Sequence, residues 1–213
     1  MTHSEQLSPA IDLSATEHYH DTFTEAVNLQ RQLLLNSRCQ LQDGTPLALA
    51  AGLRQIQQIW HESQQRGGSV YLLGNGGSAA VASHIVNDLC NTAGISASTL
   101  HEPALLTCYA NDYGYEMAYA RLLARMAKPR DVLVAISSSG ASANILQAVA
   151  AMRSLGGEVI TLSGFCAANP LRKEGHLNLW VDSSDYGQVE IAHLFLLHHL
   201  CVTYRAVTGA AHE

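Results

Sequence analysis

The sequence VLVAISSSGAS, residues 132–142, joins an apolar β-type run to three serines and a glycine, and a helical pattern follows. A second segment, VYLLGNGGS at residues 70–78, also runs from apolar residues into a glycine-rich turn and then a helix. Glycine lets the backbone turn tightly, and the following helix directs unpaired N–H groups and the positive end of its dipole outward. With the serine hydroxyls as further donors, the two turns predict a phosphate site that needs no lysine.

Each turn has a plainer interpretation when it is taken alone. Residues 74–78 could form only a tight connection from strand to helix, and residues 137–142 could be a helix cap, since serine is a favoured N-cap residue. Neither segment matches a dinucleotide fingerprint or a Walker loop, because the glycine spacing differs and no lysine follows. Three consecutive serines exceed what one cap needs, and two such turns in one small protein favour phosphate binding.

Strand-like and helix-like patterns alternate along the chain. The β-type runs are 69–73, 97–100, 131–137, 158–163 and 177–181, and the helical patterns are 78–91, 116–126, 143–155 and 188–205. Two amphipathic helices, 17–36 and 47–66, precede any strand and are joined by a turn at 42–46. Short strands separated by helices predict an α/β fold with a parallel sheet covered on both faces. Ligands bind such sheets beyond the C-terminal strand ends, where both glycine-serine turns would lie.

Composition limits the domain organisation and the classes of partner. With 213 residues, 47% of them hydrophobic, we expect one domain at 17–213, including a helical pair at 17–67, after a flexible tail at 1–16. The net charge of −6 argues against nucleic acid, and the 14% charged content favours an oligomer. We expect a cytoplasmic protein without membrane contact, since no apolar run is long enough for a span or a signal peptide. The five scattered cysteines are expected to be reduced.

Acidic residues and histidines recur at helical spacing in two places. His84 and Asp88 are four residues apart and share a helix face, while Glu190 and His198 are eight apart, about two turns. Glu190 and His193 also form an E-x-x-H pair of the kind found in helical metal sites. If the two helices meet, these residues could bind a divalent metal or act as acid and base. With 11 histidines in the chain, however, chance pairs at this spacing are expected.

Four motifs resemble those of a sugar isomerase (SIS) domain, and the resemblance covers about residues 20–205. The motifs are Gly74–Ser78, Ala110–Gly114, Ile136–Asn144 and Thr161–Gly164. Within this superfamily the chain is most similar to the phosphoheptose isomerases, which interconvert sedoheptulose 7-phosphate and D-glycero-D-manno-heptose 7-phosphate. The resemblance implies two N-terminal helices before a five-stranded parallel sheet in a flavodoxin-like three-layer arrangement. It also implies a homotetramer with active sites between subunits.

The resemblance assigns roles to individual positions. The residues that would contact the sugar phosphate are Asn75, Gly76, Ser78, Asp112, Ser137, Ser138, Ser139 and Ser142. His84 matches a zinc ligand, and His198 matches a histidine that serves both as ligand and as acid or base. This chain has Asp88 where the family has its catalytic glutamate, and Glu190 where the family has a glutamine ligand. Two histidines and two carboxylates still suit zinc or a similar divalent ion.

We therefore expect an aldose–ketose isomerase that acts through an enediol on a phosphorylated sugar, with a heptose phosphate as substrate. Asp88, or Glu190 if the shorter Asp88 side chain does not reach, would remove the proton next to the carbonyl. His198 would deliver or accept a proton on the other side of the enediol. One alternative is a non-catalytic SIS protein that binds a phosphosugar or a protein partner, like a replication-initiation regulator. The altered carboxylates favour it, whereas the two retained histidines argue against it. Another alternative is an isomerase of a different sugar phosphate.

Overall fold

The computed structural model describes residues 16–209, with side chains from residue 22 onward. The helices are α1 Thr16–Leu35, α2 Leu49–Gln65, α3 Gly77–Asn87, α4 Pro103–Tyr113, α5 Tyr115–Met126, α6 Ala143–Ser154 and α7 Tyr186–Thr208. The strands are β1 Arg38–Leu41, β2 Pro46–Leu47, β3 Val70–Leu73, β4 Ala97–Thr99, β5 Val132–Ser137, β6 Glu158–Ser163 and β7 Leu177–Trp180. The predicted tail at 1–16 lies outside the described residues except for its last position.

The strands form one mostly parallel sheet in the order β2-β1-β7-β6-β5-β3-β4. The five strands from β3 to β7 are mutually parallel, which confirms the predicted parallel sheet. The chain passes from β3 to β4 at one edge and then crosses to β5 on the other side of β3. Ligand-binding crevices of such sheets open where the strand order reverses in this way. Here that point lies at the C-terminal ends of β3 and β5, where the two glycine-serine turns begin.

The prediction that two helices precede any strand was wrong, and the sheet has two strands more than the five predicted. Strands β1 and β2 form an antiparallel hairpin beside β7 and extend the sheet to seven strands. The segment 42–46 is a turn, as predicted, but it joins these two strands rather than two helices. Cys39 fixes the hairpin against α2, because its buried side chain packs directly on Gly52 of that helix. Strands of four and two residues are too short to produce a recognisable hydrophobic period.

Two other elements differ from the prediction. The helix predicted at 78–91 ends as α3 at Asn87 and continues as a single π-helical segment, Asp88–Thr92. Helix α4 was not predicted; none of its residues is fully buried, and only Leu106 and Tyr109 pack partly against the core. Its start is nevertheless encoded locally, since the Glu102 side chain accepts a hydrogen bond of 2.7 Å from the Leu105 amide and a proline follows directly.

Side chains alternate across the sheet and bury one apolar layer on each face. On one face Val70 and Val132 pack with residues of α2, α3 and α7, including Trp60. On the other face Leu133 packs with residues of α5 and α6, including Tyr119. This arrangement confirms the three-layer fold. Among the described residues, no helix has the length and apolar character that crossing a membrane would require.

Candidate functional site

The first glycine turn brings the N-terminus of α3 close to the end of β3. Gly76 has a φ of +53°, in the left-handed region that favours glycine. A Cβ atom at Gly74 would lie 2.5 Å from the carbonyl carbon of Ser78, so any side chain there would collide with backbone. The turn therefore requires glycine for its shape, and it exposes the first backbone N–H groups of α3 at the sheet edge.

The serine turn between β5 and α6 is held by its own hydroxyl groups. Ser137 and Ser142 hydroxyls lie 3.1 Å apart, and the Gly140 amide donates to the Ser137 carbonyl at 2.9 Å. Ser142 is the N-cap residue of α6, yet its side chain accepts no capping hydrogen bond. Within residues 16–209, the buried Ser138 hydroxyl has no hydrogen-bond partner. Because the Ser142 hydroxyl does not cap α6 and the Ser138 hydroxyl has no partner in this part of the chain, both are available to a ligand.

Both turns line a single cavity of about 350 Å³. Its lining residues are Asn75, Gly76, Gly77, Ser78, Ile136, Ser137, Ser138, Ser139, Ser142, Tyr186 and Glu190. We call this space the serine cavity. Every residue predicted to contact the sugar phosphate lines it except Asp112. No lysine or arginine is found among the described residues that line it, so an anion there would depend on helix N-termini and hydroxyls.

Asp112 lies elsewhere in the described structure. It is exposed near the end of α4, where its carboxylate accepts hydrogen bonds from Asn111 at 3.0 Å and from the Cys108 thiol at 3.7 Å. Its predicted role near the sugar stays a prediction.

A hydrogen-bonded pair of amides fixes the orientation of Asn75. Asn75 and Asn144 donate to each other at 2.9 and 2.8 Å, and the Tyr115 hydroxyl also donates to Asn75 Oδ1 at 2.9 Å. Because Nδ2 carries two hydrogens and donates one of them to Asn144, its second N–H is left for a ligand. Sequence reasoning assigned no role to Asn144 or Tyr115. Asn144 lies within the serine motif and could have been noticed, whereas nothing in the sequence links Tyr115 to a residue 40 positions away.

A second group of polar side chains lies where α3 and α7 meet. The Asp88 Oδ2 atom is 2.7 Å from His198 Nδ1 and 3.4 Å from His84 Nε2. The Asp88 side chain is only 10% exposed, whereas both imidazoles are about half exposed. One potential ligand atom from each residue lies within 4.8 Å of the others, and nitrogen and carboxylate ligands suit zinc or a similar ion. We call these residues the His–Asp–His cluster.

Cys201 lies close to the cluster but is not one of its residues. Its side chain is fully buried, and burial, followed by the nearby Asp88 charge, raises the pKa of the thiol to about 12. The three residues whose potential ligand atoms lie together are the two histidines and Asp88.

Glu190 does not join the His–Asp–His cluster in the described chain. Its carboxylate lies directly against Gly77 at the start of α3, and it lines the serine cavity. Because a helix rises 1.5 Å per residue, Glu190 and His198 are separated by about 12 Å along α7. The sequence correctly placed the two residues on one helix face but did not reveal this distance. The structure thus unites three of the four predicted ligands, and Glu190 as a ligand stays a prediction.

His193 connects α7 to the end of β6 instead of facing a metal. It is completely buried, and its Nε2 lies 3.1 Å from the Ser163 carbonyl oxygen. The next amide, that of Gly164, donates to the Ser138 carbonyl at 2.9 Å. Burial lowers the pKa of His193 to about 4, so the ring is neutral and Nε2–H donates. The residue therefore positions α7 next to the serine turn, and the E-x-x-H pair does not form a metal site here.

Acidification is expected to destabilise the protein through His193. In the unfolded chain histidine has a pKa near 6.5, so the unfolded state binds a proton before the folded state does. The contribution of the neutral His193 ring to the free energy of unfolding is fully present above about pH 6.5. It is lost as the pH decreases toward 4, by up to roughly 3 kcal/mol. The free energy of unfolding should be measured between pH 7 and 4 for the wild type and for His193→Gln, which keeps an N–H donor. Identical pH dependence in the two proteins would contradict this assignment.

Comparison with known proteins identifies the family. The SIS domain family model matches residues 40–164. The phosphoheptose isomerase of Thiobacillus denitrificans is 36% identical over 162 residues, which cover 72% of this chain and 82% of the relative. That of Campylobacter concisus is 34% identical over 161 residues, covering 72% and 84%. The structure of a phosphoheptose isomerase from Francisella tularensis superposes with a TM-score of 0.76 at 25% identity, covering 91% of this chain and 100% of that one. The chain therefore belongs to the phosphoheptose isomerase family of SIS domain proteins.

Proposed function

We propose that the protein interconverts sedoheptulose 7-phosphate and D-glycero-D-manno-heptose 7-phosphate through an enediol. The observation that carries this proposal is the serine cavity, in which two helix N-termini and several hydroxyls converge at the strand-order reversal. The names of the relatives supply the substrate class. Binding of the remote phosphate group would hold the sugar carbons in a fixed position for proton transfer.

We further propose that the His–Asp–His cluster binds a divalent metal ion, with zinc as the expected ion. Such an ion would supply polarisation of a carbonyl oxygen when bound. The chain itself orients His198, because its Nδ1 atom is held by Asp88 at 2.7 Å, and the acid–base role expected for His198 stays a prediction.

We also propose that the protein is a homotetramer with active sites between subunits. Exposed apolar side chains on two helices support an assembly: Phe23 of α1 and Phe195 of α7 are 66% and 56% exposed. Ile191 and Val202 are also exposed and lie on the same face of α7 as Phe195. Light scattering on the purified protein should give the mass of four chains, and a monomer at micromolar concentration would contradict the proposal.

The proposed activity is tested by incubating the purified protein with sedoheptulose 7-phosphate and following the aldose product by NMR. Unphosphorylated sedoheptulose and other ketose phosphates serve as comparison substrates, each with and without a chelator. We expect turnover of the heptose phosphate, little turnover of the free sugar, and loss of activity on chelation. Absence of turnover with every sugar phosphate would refute the enzymatic function, and turnover of another sugar alone would refute the substrate.

Replacing Ser138 with alanine is expected to weaken substrate binding without affecting stability. The Ser138 hydroxyl is buried and has no partner within the described residues, so its removal breaks no hydrogen bond in the free protein. A hydrogen bond to a charged phosphate contributes about 1.5–3 kcal/mol, which predicts a KM increase of about 10- to 100-fold. Steady-state kinetics and thermal unfolding give the two quantities.

Ser154→Ala is the matched control for this experiment. The Ser154 hydroxyl is exposed at the end of α6 and donates to the Ala150 carbonyl, away from the cavity. Its replacement should leave KM unchanged. If Ser138→Ala also left KM unchanged, the hydroxyl would not contact the phosphate.

A further inference from the structure

We propose that Glu190, and not Asp88, is the carboxylate that transfers the proton between the two reacting carbons of the sugar. This inference rests on the proposed function, because it assigns the acid–base group of that same site. Two carboxylates close to one substrate commonly divide the roles according to their surroundings. Here the surroundings of Asp88 and Glu190 differ in contacts, in position and in access to the cavity.

Asp88 is already occupied by its neighbours. Its Oδ2 atom accepts from His198 and faces His84, and its side chain is almost entirely buried between the two rings. It also lies outside the serine cavity, beyond the end of α3. A carboxylate held in this way can orient imidazoles and ligate a metal ion, but its Oδ2 atom is already engaged and does not line the cavity in which the sugar would bind.

Glu190 is in the opposite situation. It is the one carboxylate among the described residues that line the serine cavity. Within residues 16–209, no hydrogen bond or ion pair engages its carboxylate. A general base must lie within hydrogen-bonding reach of the proton that it removes, and it must be free to accept that proton. Glu190 is free to accept a proton, and its position in the lining of the serine cavity places it next to a substrate whose phosphate occupies the serine turn.

The packing around Glu190 determines where its carboxylate lies. A Cβ atom at Gly77 would overlap the carboxylate, so the absence of a side chain at Gly77 creates the space that Glu190 fills. The preceding residue, Val189, is buried, and its methyl groups lie 2.7 and 2.8 Å from the position that a Cβ at Gly164 would take. Close contacts therefore fix both the start of α7 and the side chain that it directs into the cavity.

One carboxylate is sufficient for the carbon chemistry. Glu190 accepts the proton from C1 of the ketose, and the electron pair of the C1–H bond forms the C1=C2 double bond of the enediol. The C2 carbonyl oxygen gains a proton while the C1 hydroxyl loses one. Glu190 then returns its proton to C2, which leaves the aldehyde at C1. All atoms and electrons balance within the substrate and this side chain.

The test compares Glu190→Gln with the wild type in deuterated water. Glutamine has the same shape but cannot accept the proton, so turnover and deuterium incorporation into the sugar should both fall by about 10²- to 10⁴-fold. The metal content and the midpoint of thermal unfolding should not change. Glu116→Gln removes an exposed carboxylate from the first turn of α5 and should behave as the wild type. In Glu190→Ala, added formate should restore part of the activity.

Two results would overturn the inference while the wild type remains active. One is deuterium incorporation by Glu190→Gln within threefold of the wild type. The other is loss of metal from Glu190→Gln in proportion to its loss of activity, which would make Glu190 a ligand. A wild-type protein that converts no sugar phosphate would instead refute the proposed function, and the inference with it.

Discussion

Replacing Asp88 with alanine is expected to remove both the bound metal and isomerase activity. Asp88 is the contact shared by His84 and His198, and it supplies the negative charge at the point where the two imidazoles meet. Without it, two neutral rings remain, and a pair of imidazoles alone binds divalent ions weakly. Loss of a polarising ion removes several kcal/mol of transition-state stabilisation, so kcat should fall by about 10³-fold or more.

The measurements are metal content by elemental analysis and kcat with sedoheptulose 7-phosphate. Asp182→Asn is the matched control, because this exposed carboxylate lies 3.9 Å from Arg38 at the surface and is expected to matter little. If Asp88→Ala retained stoichiometric metal and full activity, the cluster would have no role in the reaction.

Replacing Gly140 with alanine is expected to distort the serine turn and to destabilise the fold by roughly 2–4 kcal/mol. Gly140 has a φ of +63°, and a Cβ atom there would overlap the side chain of Asn169. Asn169 cannot move aside easily. It is buried, and its Nδ2 lies within hydrogen-bonding distance of oxygens of Ser163, Gly164 and Cys166. The backbone shift that relieves the overlap would displace the serine hydroxyls, so KM should rise as well.

Gly156→Ala separates the cost of the positive φ from the cost of the overlap with Asn169. Gly156 has a similar φ of +78°, but the nearest atom to its Cβ position is 3.9 Å away, in Pro129. This variant should show only the backbone cost of about 1 kcal/mol. Free energies of unfolding from denaturant titrations provide the comparison. Equal losses in the two variants would contradict the packing argument at Gly140.

The parallel sheet and the serine cavity could be predicted because their signals are local. In VLVAISSSGAS, apolar residues that are buried on both faces run directly into the residues that form the turn. Parallel strands bring such turns to one edge, so their proximity follows from the fold class. The hairpin of β1 and β2 left no comparable signal, since its burial depends on a contact between Cys39 and Gly52.

Helical spacing could predict which residues share a face, but not how far apart they lie. It placed His84 with Asp88 correctly, since the two are one turn apart and in contact. It also grouped Glu190 with His198, although two turns separate them and only tertiary packing against Gly77 sets the position of Glu190. The link from Tyr115 to Asn75 likewise depends on the packing of α5 beside β3 and could not be inferred from sequence.

The central claim is that the serine cavity binds the phosphate group of a ketose phosphate. A crystal structure with bound sedoheptulose 7-phosphate tests it most directly. We expect the phosphorus atom to lie next to the Ser137, Ser138 and Ser142 hydroxyls and the first amides of α6, with the sugar carbons extending toward Glu190. A phosphate bound elsewhere, for example between α2 and α7 near Arg54, with the serine cavity left to solvent, would contradict the account.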